Sequence, residues 1–75
     1  MTNGDQAIGR ALRRLRRASK LTQRELGAAM GYSAKMVSAC EKGNRRLSLT
    51  HAALAAAALG CTLDALLASS KEVAA

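Results

Sequence analysis

Thr22, Gly31 and Ser33 punctuate a chain that has no proline, and this punctuation limits the possible folds more than any other feature. Thr22 and Glu25 are spaced as a capping box, in which each side chain satisfies an otherwise orphaned backbone N–H at a helix start. Gly31 can adopt the left-handed conformation that ends such a helix at little cost. Ser33 can cap a second helix, with Tyr32 before it and Val37 within it placed as a hydrophobic staple. Gly27 leaves room for a close crossing of the two helices. Residues 22–43 therefore read as two short helices joined by a tight turn, the arrangement that presents a helix to the major groove of DNA.

Alanine-rich sequence with a period near 3.6 predicts helices elsewhere too. The first helix is expected over about residues 8–19, with Ile8, Leu12 and Leu15 on one apolar stripe and arginines elsewhere. The second and third cover about residues 23–30 and 34–42, and Gly43 closes the third. A basic loop follows at 44–47; Ser48 caps a fourth helix that reaches residue 59 and stops at Gly60, and Thr62 caps a fifth to about residue 68. Residues 1–6 are expected to be disordered and those after the fifth helix to fray. The predicted fold is all-α, one compact five-helix domain over residues 1–75, ordered at about 7–69. A chain this short buries only ~60–65% of its extended surface, so its stability is marginal unless it oligomerises. Tyr32 is the only aromatic residue, which leaves Leu, Ala, Met and Val to build the core.

Several function classes are excluded. A membrane span needs a run of about 18 apolar residues, and the longest candidate, residues 52–59, ends at Gly60. The N-terminus has no apolar signal segment, which points to the cytoplasm. Cys40 and Cys61 lie far apart and His51 is the only histidine, so no zinc site or other metal site is expected; both cysteines read as small buried hydrophobes. The residues offer no nucleophile–base pair and no paired acid and base, so neither an enzyme nor a cofactor nor a small-molecule ligand is expected.

The net charge is +7, and its distribution is uneven. Residues 1–20 carry +5, residues 21–46 carry +3 and residues 47–75 carry −1. That asymmetry suits a molecule with one face for a polyanion and another for a protein. In the third helix Val37 and Cys40 should face the core, which turns Ala34, Lys35, Ser38 and Ala39 outward. With Leu49, Ala52, Ala56 and Leu59 inward on the fourth helix, Leu54 points outward. It stands with Leu63, Leu66 and Leu67 as apolar side chains beyond the needs of a small core, a candidate homodimer interface.

The pattern Thr22-Gln23-x-Glu25-Leu26, a small residue at 27, Gly31, Ser33, Val37-Ser38, Glu41-x-Gly43 and Ser48-Leu49 resembles the phage-repressor and Cro-like (XRE-type) helix-turn-helix family. The closing run Ala58-Leu59-Gly60-Cys61-Thr62-Leu63-Asp64-x-Leu66-Leu67 is similar to that family's last two helices, so the resemblance covers about residues 8–67. Gly27 stands where the family usually has alanine, and Leu47 where proline is common. The resemblance implies that Ala34, Lys35, Ser38 and Ala39 face bases, with Lys35 donating to guanine and the alanine methyls touching thymine methyls. It implies phosphate contacts by Gln23, Arg24, Ser33, Lys42, Asn44, Arg45 and Arg46, and a structural ion pair between Arg16 and Glu41. The remaining arginines of the first helix, Arg10, Arg13, Arg14 and Arg17, read mostly as solvated charge, with one or two able to approach the DNA backbone.

A sequence-specific, homodimeric transcriptional regulator that occupies an inverted-repeat operator on double-stranded DNA, located in the cytoplasm with the nucleoid, is the function these readings favour. The competing reading is a protein-interaction module of the antitoxin or antiactivator type. The basic face counts against it, because a purely protein-binding role leaves that face without a use.

Overall fold

The computed structural model describes the backbone of residues 3–74 and the side chains of residues 6–68. Five helices follow one another: α1 (Asn3–Ala18), α2 (Gln23–Met30), α3 (Ala34–Glu41), α4 (Leu49–Ala58) and α5 (Leu63–Ala74). Their starts follow from local chemistry. Thr22 Oγ1 accepts from Glu25 N at 3.0 Å while Thr22 N donates to Glu25 Oε1 at 2.9 Å. The Thr22 backbone N–H, then its hydroxyl, hold the Glu25 carboxyl below the usual range. Ser33, Ser48 and Thr62 each accept a first-turn N–H at 3.1–3.2 Å. Gly31, with φ +77°, ends α2 and donates its N–H to the carbonyl of Gly27.

The outer boundaries differ from the sequence expectation. α1 begins at Asn3 rather than near residue 8, and α5 runs to Ala74 rather than about 68. No glycine or proline follows Gly60 to stop α5. The expected disorder of residues 1–2 and fraying of residue 75 lie outside the described residues. No described helix is long and apolar enough to cross a membrane.

Two apolar clusters meet at Leu47. One gathers Leu12, Leu26, Met30, Val37, Cys40 and Ala55, with Tyr32, Ala58 and Leu59 packed against it; the other gathers Ala11, Ala52, Ala56 and Leu66, flanked by Leu15, Cys61 and Leu63. Cys40 is buried, and burial pushes its thiol up, against the opposing pull of Arg45; Cys61 is half-buried. The alanines let α1, α4 and α5 approach closely, which a core poor in large side chains requires. α1 packs mainly on α5 and against α3, and α2 packs on α3 and α4. Two sequence expectations fail here. Leu49 is 69% exposed rather than inward, because the buried side of α4 is formed by Ala52, Ala55 and Ala56. Leu66 is 0% exposed, a central core side chain, and this removes it from the surface that a partner subunit could cover.

Glycine sets two close approaches around α3. A Cβ at Gly27 would stand 2.5 Å from the carbonyl oxygen of Tyr32, which explains why even the family's usual alanine is too large at this position. A Cβ at Gly9 would collide with the carbonyl oxygens of Cys40 and Glu41, so α1 lies directly against the last turn of α3. Gly9→Ala is expected to cost about 2 kcal/mol despite alanine's better helix propensity, because backbone must move to admit the methyl. Urea unfolding of the variant measures this; unchanged stability would show that the α1–α3 contact is loose.

Candidate nucleic-acid interface

The orientation of α3 is set from behind. Val37, Cys40 and Glu41 are its buried residues. Arg16 Nε donates to Glu41 Oε2 at 2.6 Å and its Nη2 to Glu41 Oε1 at 3.2 Å, a two-pronged contact. Its Nη1 donates to the carbonyl of Leu21 at 2.8 Å, and Gln23 Nε2 donates to Glu41 Oε1 at 3.1 Å. One carboxylate therefore ties the last turn of α3 to α1 and to the first residue of α2. The expected Arg16–Glu41 pair is present, with the two side chains 11% and 3% exposed.

With Val37, Cys40 and Glu41 inward, the opposite face of α3 meets solvent. Lys35 is exposed, and Ala34, Ser38 and Ala39 are half-buried on or beside that face. Met36, to which the sequence pattern assigns no role, is half-buried and shares a shallow groove with Lys35, Ala39, Asn44 and Arg45. The groove thus has an apolar floor and basic rims. Ser33 is exposed, with its hydroxyl accepting the N–H of Met36.

The sides of this face are basic. Arg24 is exposed in the first turn of α2, beside the half-buried Gln23. Lys42 caps α3, and the chain turns at Gly43 as Asn44 N donates to the carbonyl of Ala39 at 2.9 Å. Lys42, Asn44, Arg45 and Arg46 are all exposed. The Arg45 guanidinium sits 5.4 Å from the centre of the Tyr32 ring, and that ring packs on His51 at 4.4 Å. His51 in turn pairs with the hydroxyl of Ser48, the cap of α4. This stack holds the loop against the start of α3. Sequence reasoning gives Tyr32 only a staple role; its being the sole aromatic is the available signal.

Of the four candidate interface leucines, Leu54 is 42% exposed and Leu63 and Leu67 are half-buried. Among the described residues, no group of three or more His, Cys, Asp or Glu side chains is placed to hold a metal ion.

A short helical pair with a braced outward helix, capped turn and basic flanks defines the class of small helix-turn-helix DNA-binding domains. The family model described as helix-turn-helix matches residues 12–66, and the chain belongs to that family. The clp gene regulator ClgR from Corynebacterium glutamicum is similar at 30% identity over 93% of this chain and 74% of its own, with a TM-score of 0.90. The restriction-modification controller protein C.AhdI from Aeromonas hydrophila is similar at 33% identity over 81% of this chain and 92% of its own, with a TM-score of 0.77. Hydroxypropylphosphonic acid epoxidase from S. wedmorenis contains a similar fold at 27% identity, over 83% of this chain but only 33% of its own, with a TM-score of 0.74. The search of curated proteins finds no match. Family and regulator neighbours together support a DNA-binding transcriptional regulator.

Proposed function

We propose that this protein binds operator DNA as a homodimer, each subunit placing the outward face of α3 in the major groove of one half of an inverted repeat. The observation that carries the reading is the Arg16–Glu41–Gln23 network, which fixes α3 from behind and leaves its opposite face without an intramolecular task. Lys35, Ser38, Ala34 and Ala39 are the base-reading residues. Gln23, Arg24, Ser33, Lys42, Asn44, Arg45 and Arg46 serve the phosphates on either side, with Arg45 set in place by Tyr32. Subunits meet through Leu54, Leu63 and Leu67, at the weakly charged end of the chain. A two-fold axis would set the recognition helices about 34 Å apart, so half-sites recur at roughly one helical turn. The protein acts in the cytoplasm by occupancy of its site.

Selection of bound sequences from random duplex DNA tests this directly. Inverted repeats with that spacing are expected; sites without a dyad would overturn the dimeric reading. Lys35→Ala should relax base preference within each half-site and weaken the best sequence by about 1–3 kcal/mol, leaving weak sequences nearly unaffected. Arg45→Ala combined with Arg46→Ala should weaken all sequences alike and make the salt dependence shallower by about 0.9 for each phosphate no longer neutralised, counted per subunit. A salt titration with the same slope as wild type would remove both arginines from the interface.

A further inference from the structure

The function proposed above gives the side chain of Met36 no role. Among the described residues it belongs to neither apolar cluster, whereas Met30 lies in the core at 1% exposure. Successive residues of a helix are turned by about 100°, so Met36 and Ser38 stand symmetrically on either side of the buried Val37. Both therefore border the outward face that carries Lys35 and Ala39. Ser38 is a proposed base reader, and Met36 occupies the mirror position, on the side of the loop that follows α3. Met36 and Ala39 are three residues apart, which makes their side chains neighbours on the helix surface. Lys35, Asn44 and Arg45 complete the lining of the groove they share.

The two side chains on the floor of this groove offer no hydrogen-bond donor and, in the thioether, only a weak acceptor. They cannot read a base by hydrogen bonding. The apolar feature that base pairs present in the major groove is the C5-methyl of thymine. The rims decide between a duplex and an apolar protein segment as the occupant. Lys35 and Arg45 are exposed cations, and among the described residues no carboxylate lines the groove. A buried apolar segment would leave both cations without counter-charge, whereas a duplex brings phosphates and base acceptors beside the methyl. Methionine also suits the task, because an unbranched chain with a polarisable sulfur can follow a small apolar group.

We propose that Met36, together with Ala39, forms an apolar notch for the C5-methyl of one thymine in each half-site. Met36 is then a specificity-determining residue, which adds a thymine to what Lys35 reads through its ammonium group. This rests on the DNA-binding reading above and deepens it.

The test uses the site selected from random DNA, with each thymine replaced in turn by deoxyuridine, which removes the methyl and keeps the pairing. For wild type, one thymine in each half-site is expected to stand out, its replacement weakening binding by about fourfold, the worth of one buried methyl. Met36→Ala should lose the same factor on the thymine duplex and become indifferent to uridine at that position. Its salt dependence should match wild type, since no phosphate contact is lost. Met36→Leu keeps the apolar bulk and should restore most of the preference for thymine. Circular dichroism melts check the folding of both variants, and the uridine scan of wild type tests the notch without either. Wild type indifferent to uridine at every position would overturn the proposal. So would a folded Met36→Ala protein that keeps wild-type sensitivity to uridine, because the methyl would then be read elsewhere. Tighter binding of 5-methylcytosine than of thymine at that position would overturn the assignment to thymine. Wild type that binds no duplex at all would defeat the DNA-binding reading itself, a result distinct from these.

Discussion

Glu41→Ala is expected to lower the free energy of unfolding by about 3 kcal/mol, a large share of the roughly 4–11 kcal/mol available to a domain of this size. The side chain is 3% exposed and holds three donor groups, two on Arg16 and one on Gln23. Its removal leaves a guanidinium in a site 11% exposed, with only the Leu21 carbonyl to satisfy it, and strands the Gln23 amide. Arg16→Ala should cost a similar amount for the converse reason: the carboxylate stays buried with the Gln23 amide alone. Arg16→Met combined with Glu41→Leu should lose clearly less than the two single replacements added together, because no charge is then abandoned. Denaturant titrations of the four proteins measure this. Single variants as stable as wild type would show that the pair merely decorates the contact between α1 and α3.

Leu66→Glu is expected to unfold the chain outright. Leu66 is 0% exposed among Ala11, Ala52 and Ala56, so a carboxylate there would lose its water without gaining a partner, and the loss should exceed about 4 kcal/mol. The outcome separates core from interface, since an interface residue would give a folded monomer. Leu54→Glu makes the contrast. At 42% exposure Leu54 can accept a charge, so helix content should persist while self-association weakens by roughly tenfold or more. Sedimentation at several concentrations reads the second result. A folded Leu66→Glu protein, or a Leu54→Glu protein that associates as tightly as wild type, would contradict this division.

The centre of the fold was legible because its signals are local. The caps at Thr22, Ser33, Ser48 and Thr62 and the stop at Gly31 each act within a few residues, and the bounds of α2 follow from them. The outer ends of α1 and α5 were not legible: without a breaker, sequence marks where a helix can begin better than where it must end. Leu66 was misplaced because four leucines near one end look alike until packing selects among them. Leu66 meets the alanines of α1 and α4, whereas Leu54 falls on the far side of α4. The Arg16–Glu41 contact came through family resemblance, since nothing in the spacing of two residues twenty-five apart foretells it. Gly9 and the Arg45–Tyr32–His51 stack depend on long-range approach of backbone and rings, and only the folded chain reveals them.

The way α3 is gripped bears on how such a protein could change its target over evolutionary time. Its anchorage consists of Val37, Cys40 and Glu41, together with the bare backbone of Gly9 beneath its last turn. None of the positions proposed to read bases takes part. Ala34, Lys35, Ser38 and Ala39 can therefore be exchanged at little thermodynamic penalty, and a lineage could drift from one operator to another through intermediates that all remain folded. The same separation makes those positions the natural ones to randomise when a small scaffold is sought for new DNA addresses.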